Sequence, residues 1–296
     1  MENIHINREK YMREHEKEIK VLRKLFRINP LYKVYHDFFC NLKPRTLFDS
    51  YSVVAGMLMK NKKISIEGIE HIPKKGPAIF SSGHPNWIEP FFLGYVLYCN
   101  IEKEHQKAKF LGDAAMSNLD DFSAYFNRFF VRDGMKDNFL TYLMADTVSH
   151  IVAPIFTLND SIYIPVFRGK EGREETYRRT IKALKNDEYI IMFPENPDAK
   201  DVKDENEMVV KKNDVNFYRL QGGIVGIVER AYENKLEVPI IPSSIKGGEE
   251  DLFKKGEIII KFSEPVYYSD YGDREKFLVG LQEKMANDFK DLFGEK

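Results

Sequence analysis

Residues Ile162 to Glu195 read IYIPVFRGKEGREETYRRTIKALKNDEYIIMFPE. The run Ile162-Tyr163-Ile164-Pro165-Val166-Phe167 is strand-like, and its proline favours a sheet edge or a strand end. From Glu174 to Lys185 the pattern turns helical, with Tyr177, Ile181 and Leu184 on one side. Tyr189-Ile190-Ile191-Met192-Phe193 is then a short apolar run of the kind a buried strand needs. A strand, a helix and a second strand in that order imply a sheet with helices on its faces.

The same grammar extends both ways. Upstream, Ile64, Ile66 and Ile69 suggest a strand, and Lys75-Gly76-Pro77 a turn. Ala78-Ile79-Phe80-Ser81 reads as a buried strand, Phe91 to Cys99 as a buried helix and Lys109-Phe110-Leu111 as another strand. Downstream, residues 198–216 are charge-rich and read as a loop, and Leu220 to Tyr232 as a helix. Val238 to Pro242 is extended, Glu257 to Phe262 is a last strand and Arg274 to Phe293 a last helix. The expected class is α/β: a mixed, largely parallel sheet flanked by helices, with an N-terminal helical extension. The expected division is a helical segment at 1–60 and an α/β domain at 61–296.

The chain has 296 residues, 43% of them hydrophobic and 31% charged, enough for a full core and a wet surface. Lys plus Arg is 45 and Asp plus Glu is 46, so no basic excess suggests a nucleic-acid partner. Cys40 and Cys99 are the only cysteines; a reducing, cytoplasmic setting fits them better than a disulfide framework. The first twenty residues are charged, unlike a secretory signal. The most apolar window, Phe139 to Leu158, carries Asp146, Ser149, His150 and Pro154, and reads as buried or interfacial rather than spanning. Residues 8–27 hold eight basic and four acidic side chains around Ile19, Leu22, Leu25 and Phe26. Such a helix suits the inner face of an anionic membrane, or equally the surface of its own domain.

Chemistry centres on Ser82-Gly83-His84-Pro85-Asn86-Trp87-Ile88-Glu89-Pro90. His84 follows a buried strand and precedes an apolar helix. On one continuous helix, the five-residue interval to Glu89 would set the two side chains about 140° apart. They approach only if His84 sits in the turn before the helix. There, a carboxylate on the Nδ1–H would fix the tautomer and leave Nε2 as a base. The plainer reading is a histidine capping a helix, with Glu89 on the surface. Later strands end in Arg168, in Phe193-Pro194-Glu195 and in Pro242. Ligands in open α/β sheets gather beyond the carboxyl ends of strands, so these residues are candidates for one crevice. Arg168 has a fork suited to phosphate, and Arg132 competes for that role. Glu195 suits a sugar or glycerol hydroxyl, or a bond to a turn.

Four ordered blocks, spanning about residues 62–265, resemble the phospholipid/glycerol acyltransferase family, which contains the lysophosphatidic acid acyltransferases. They are His84 to Glu89, Ile164 to Arg168, Phe193-Pro194-Glu195 and Val238 to Pro242. The resemblance implies acyl transfer from a thioester of coenzyme A or acyl carrier protein to a glycerol-phosphate or lysophospholipid hydroxyl, in phospholipid biosynthesis. It implies His84 as base, Glu89 as orienting acid, Arg168 on the acceptor phosphate and Pro194, Glu195 and Pro242 around the acceptor. It implies no metal and no cofactor beyond the donor substrate. Three departures stand out: Glu89 where Asp is usual, Gly83 where Asn is usual, and Asn196-Pro197 in place of Gly-Thr-Arg. They keep two alternatives open, a non-catalytic lipid-binding or scaffold protein of the same fold and an acyltransferase for a non-glycerol acceptor. No Gly-x-Ser-x-Gly elbow, P-loop or zinc spacing competes.

Overall fold

The computed structural model describes residues 20, 21, 24, 62–83, 89–100, 107–113, 140–147, 163–167, 169–195, 205–212, 215–247 and 255–294. The expected boundary at 60/61 lies outside them. The chain forms two compact units, residues 1–47 with 112–167, and residues 48–111 with 168–296.

In the larger unit, continuous apolar runs become central strands because both of their faces are covered. β1 (Lys62–Glu67), β2 (Ala78–Ser82) and β3 (Ala108–Asp113) come first, and β3 carries its last residues into the smaller unit. β4 (Tyr163–Val166) belongs to the smaller unit, and β5 (Tyr189–Met192) to the larger. β6 (Met208–Lys212), β7 (Val215–Tyr218), β8 (Ile240–Lys246) and β9 (Gly256–Phe262) follow. In the larger unit the main sheet runs in the order β1-β9-β8-β2-β5-β3. β1 with β9, β2 with β5, β2 with β8 and β3 with β5 are parallel, whereas β8 with β9 is antiparallel. The sheet is therefore mixed and largely parallel, as expected.

Pro242 lies inside the central strand β8, where a missing N–H would normally cost a ladder bond. The ladder with β9 is irregular at that place. Ile240 bridges Val266 and Ser243 pairs Phe262, so three steps on one side oppose four on the other. Pro242 sits within this bulge and uses its carbonyl to accept from the Ser263 N–H at 2.9 Å.

The helices are α1 (Glu89–Asn100), α2 (Lys170–Lys185), α3 (Gly223–Glu233) and α4 (Arg274–Phe293). α1 buries Phe92, Leu93, Val96 and Leu97. α4 begins where Asp273 caps it, accepting from the Lys276 N–H at 2.9 Å. Phe277, Leu281, Met285, Phe289 and Phe293 recur every fourth residue and form its buried stripe. Arg230 of α3 lies 4.1 Å above the Tyr177 ring of α2 and pairs with Glu174, which raises the guanidinium pKa. Glu175 of α2 accepts from Arg178 and Arg179, and these bonds lower its carboxyl to about 2. Its folded pKa is depressed. Any stability it lends is thus present above the ordinary carboxylate range and lost as pH falls through about 2. The expected result is a Glu175 carboxyl 13C resonance that stays in its ionised position until pH approaches 2.

Two sequence expectations need correction. The stretch 198–216 is not all loop: β6 and β7 pair antiparallel as a hairpin with a register shift between Met208 and Val210. Lysines and aspartates mask the signal, but Val210 and Phe217 are buried, and Phe217 packs on Phe289 with ring centroids 5.8 Å apart. The helix expected from Leu220 begins instead at Gly223. The Leu220 N–H donates to Gln282 Oε1 and the Gln221 N–H to the Pro194 carbonyl, so these residues are tied elsewhere.

In the smaller unit residues 140–147 are helical. Leu140 and Met144 are exposed, while Tyr142, Ala145 and Asp146 are buried. Of the segment 8–27, Lys20, Val21 and Lys24 are described; all three are helical and exposed. Among the described residues, no helix is long and apolar enough to cross a membrane.

Candidate functional site

The register of three neighbouring parallel strands builds the site. Ser81 of β2 stands opposite Met192 of β5 on one side and Pro242 of β8 on the other. β2 and β5 thus reach their carboxyl ends at one level, beside Pro242 and Ser243 in the first half of β8, which runs on to Lys246 rather than ending at Pro242 as the sequence suggests. Gly83 leaves β2 there, Phe193-Pro194-Glu195 leave β5, and Pro242 and Ser243 lie on β8. This is the end of an open sheet at which ligands bind.

Buried serines line these ends, and each hydroxyl has a use. The Ser81 hydroxyl donates to Met285 Sδ at 3.2 Å, locking β2 to α4. The Ser243 hydroxyl donates to the Ser81 carbonyl at 3.3 Å, and the Ser82 hydroxyl to the Gly83 carbonyl at 2.9 Å. The strand ends are therefore held by side chains as well as by the ladder.

Glu195 is only 5% exposed. Its backbone bridges Leu220, and its Oε2 accepts from the Tyr218 N–H at 3.1 Å. Its Oε1 lies 2.9 Å from the point that a β-carbon on Gly83 would occupy. The carboxylate thus sits between β7 and the exit of β2. Pro194 is buried, and its carbonyl accepts from the Gln221 N–H at 2.7 Å. Pro242 is buried in β8 beside Ser81. Of the residues singled out from sequence, Pro194, Glu195 and Pro242 share this sheet end. His84, Arg132 and Arg168 lie outside the described residues. Glu89 is the first described residue of α1, and its side chain is not among those described. Among the described residues, no three His, Cys, Asp or Glu side chains converge as metal ligands.

Sequence reasoning missed the Tyr218 N–H as a partner of Glu195. A backbone donor leaves no trace in residue identity. Gly83 did carry a signal, since it stands where a larger residue was expected, but its partner is distant in the chain.

A family model described as Acyltransferase matches residues 63–246. Comparison with the curated proteins gives no match. Among solved structures, the chain is similar to the crystal structure of the 1-acyl-sn-glycerophosphate (LPA) acyltransferase, PlsC, from Thermotoga maritima. The TM-score is 0.51 at 15% identity, over 94% of this chain and 95% of that one. At that identity the likeness concerns the fold.

Proposed function

We propose, from the premise that this chain belongs to the acyltransferase family, that it moves a fatty acyl group from a thioester to a hydroxyl of a glycerol-phosphate or lysophospholipid. The observation that carries the reading is the common level at which β2 and β5 end, beside Pro242 of β8. It gathers Glu195, Pro194 and Pro242 where Gly83 leaves β2, one residue before His84 in sequence.

In this reading His84 takes the proton of the acceptor hydroxyl, and Glu89 orients the imidazole and stabilises its cation. The hydroxyl oxygen attacks the thioester carbonyl and forms a new C–O bond. The tetrahedral intermediate collapses with loss of the thiolate, which takes the proton back from the imidazolium. A thioester is already activated, so the protein's task is mainly alignment and deprotonation. Neither metal nor redox chemistry enters these steps. The donor is a substrate, carried on coenzyme A or an acyl carrier protein. Arg168 holds the acceptor phosphate, with Arg132 as the competing candidate. The basic segment 8–27 brings the enzyme to the inner face of a membrane, where such acceptors reside.

One observation favours a second acceptor class. The β6–β7 hairpin occupies the chain after Glu195, and the Oε2 of Glu195 is engaged by Tyr218. A non-glycerol hydroxyl therefore belongs in the test panel.

The test is to incubate the full chain with a long-chain acyl thioester and lysophospholipids, glycerol 3-phosphate or a crude lipid extract. Thiol release and product mass are then followed. An acylated product supports the reading and its mass identifies the acceptor. Lipid binding without thiol release points instead to a non-catalytic lipid-binding protein. Arg168→Ala is expected to raise KM for a phosphate-bearing acceptor by about 10- to 100-fold, the worth of a charged hydrogen bond, with little effect on an uncharged one. If it moves neither KM, Arg132→Ala is the next variant.

A further inference from the structure

We propose that Glu195 is a positioning residue: it fixes the backbone of Gly83, where the chain leaves β2 one residue ahead of His84 in sequence. The inference rests on the acyl-transfer reading and adds to it how the base is held.

The geometry has two halves. On one side Glu195 Oε1 abuts Gly83 so closely that a β-carbon there would stand 2.9 Å from it and 3.5 Å from Phe217 Cδ2. The bare α-carbon of Gly83 is thus the seat of the carboxylate. On the other side Oε2 accepts from the Tyr218 N–H at 3.1 Å, and the backbone of Glu195 bridges Leu220. The Tyr218 strand is in turn anchored. Phe217 stacks near Phe289, and Leu220 donates to Gln282, both on α4. One buried carboxylate therefore links a rigid frame, β7 and α4, to the residue just before His84.

Gly83 and Glu195 are consequently a coupled pair. A methyl group at position 83 has two ways to fit: β2 shifts, or the flexible carboxylate withdraws. The second is easier and removes the Oε2 bond as well. Gly83→Ala should then act by displacing Glu195 and reproduce the loss of that side chain. A glutamate that gripped the acceptor would behave otherwise. Its removal, or its displacement by a methyl group on residue 83, would raise the acceptor KM and leave kcat unchanged.

The test compares Gly83→Ala, Glu195→Ala, Glu195→Gln and the Gly83→Ala/Glu195→Ala double variant in the full chain. It reads kcat, acceptor KM and amide hydrogen exchange over 215–220. Misplacement on the order of 1 Å costs up to about 100-fold, so each alanine variant is expected to lower kcat by about 10- to 100-fold. Acceptor KM should stay within about threefold, since ground-state binding is not what is lost. The double variant should fall no further than Glu195→Ala alone, because coupled sites are not additive. Glu195→Gln keeps an oxygen for the Tyr218 N–H and should return to within about threefold of the parent. Exchange at Tyr218 should quicken by about tenfold in Glu195→Ala and in Gly83→Ala, the worth of one net hydrogen bond.

A raised acceptor KM at unchanged kcat, or fold-losses that multiply in the double variant, would overturn the proposal. So would unchanged exchange at Tyr218 in Glu195→Ala. The exchange arm needs no turnover. If the parent chain transfers no acyl group, the acyl-transfer reading fails, and exchange still decides whether Gly83 and Glu195 are coupled.

Discussion

His84→Ala is expected to lower kcat/KM for acyl transfer by about 10²- to 10⁴-fold, the usual contribution of a positioned general base. An alcohol is a poor nucleophile until its proton has somewhere to go, and in the proposed mechanism His84 alone supplies that place. Binding of donor and acceptor does not depend on the imidazole, so the loss should lie in kcat rather than in either KM. The variant should also lose the part of the pH–rate profile that reports a neutral imidazole. Glu89→Gln is expected to cost less, because it leaves the base in place and removes only its orientation and the stabilised cation. Thermal unfolding of both variants checks that the fold survives. Parent-like turnover in a folded His84→Ala variant would show that another group takes the proton, and the dyad would have to be abandoned.

The fold was legible where burial leaves a mark on composition. β2 and β5 are covered on both faces and read as short apolar runs, with two buried serines closing β2, and α4 declares itself through Asp273 and a stripe of large residues every fourth position. The β6–β7 hairpin was not legible, because Lys211, Lys212 and Asp214 interrupt its alternation and Phe217 gains its meaning only from Phe289 on a distant helix. Similarly, nothing local says that Leu220 and Gln221 must spend their N–H groups on Gln282 and Pro194 before α3 can start. At the candidate site, the order of the blocks indicated which strand ends to inspect. The level at which Ser81, Met192 and Pro242 meet is a property of strand register, which no single strand encodes. The contact of Glu195 with Gly83 depends on that register in turn.

That dependence makes the centre of the sheet the second place where a single substitution should have a large effect. Phe80→Ala is expected to destabilise the folded chain by about 3–5 kcal/mol, as for a fully buried phenylalanine. Phe80 has no exposed surface and lies at the middle of β2. Its ring meets Tyr189 of β5 edge-on at 5.2 Å between centroids and Phe262 of β9 at 6.0 Å. Pairs of this geometry add about 0.5–1.5 kcal/mol each beyond the area they bury. Tyr189 is itself fixed by a bond from its hydroxyl to the Pro73 carbonyl, so its ring cannot swing in to fill the space Phe80 leaves. The cavity term therefore persists rather than relaxing away. Against a typical total of about 5–15 kcal/mol, the loss is about a fifth or more of what holds the protein together. Phe80→Leu, which keeps most of the volume, should cost only about 1–1.5 kcal/mol. Urea titration followed by circular dichroism reads both, with a lower midpoint and an unchanged slope marking a true loss of stability. A Phe80→Ala midpoint equal to the parent's would mean that β2 is not the packed centre described here. Since Gly83 continues the same strand three residues on, the platform for His84 would then have to be sought elsewhere.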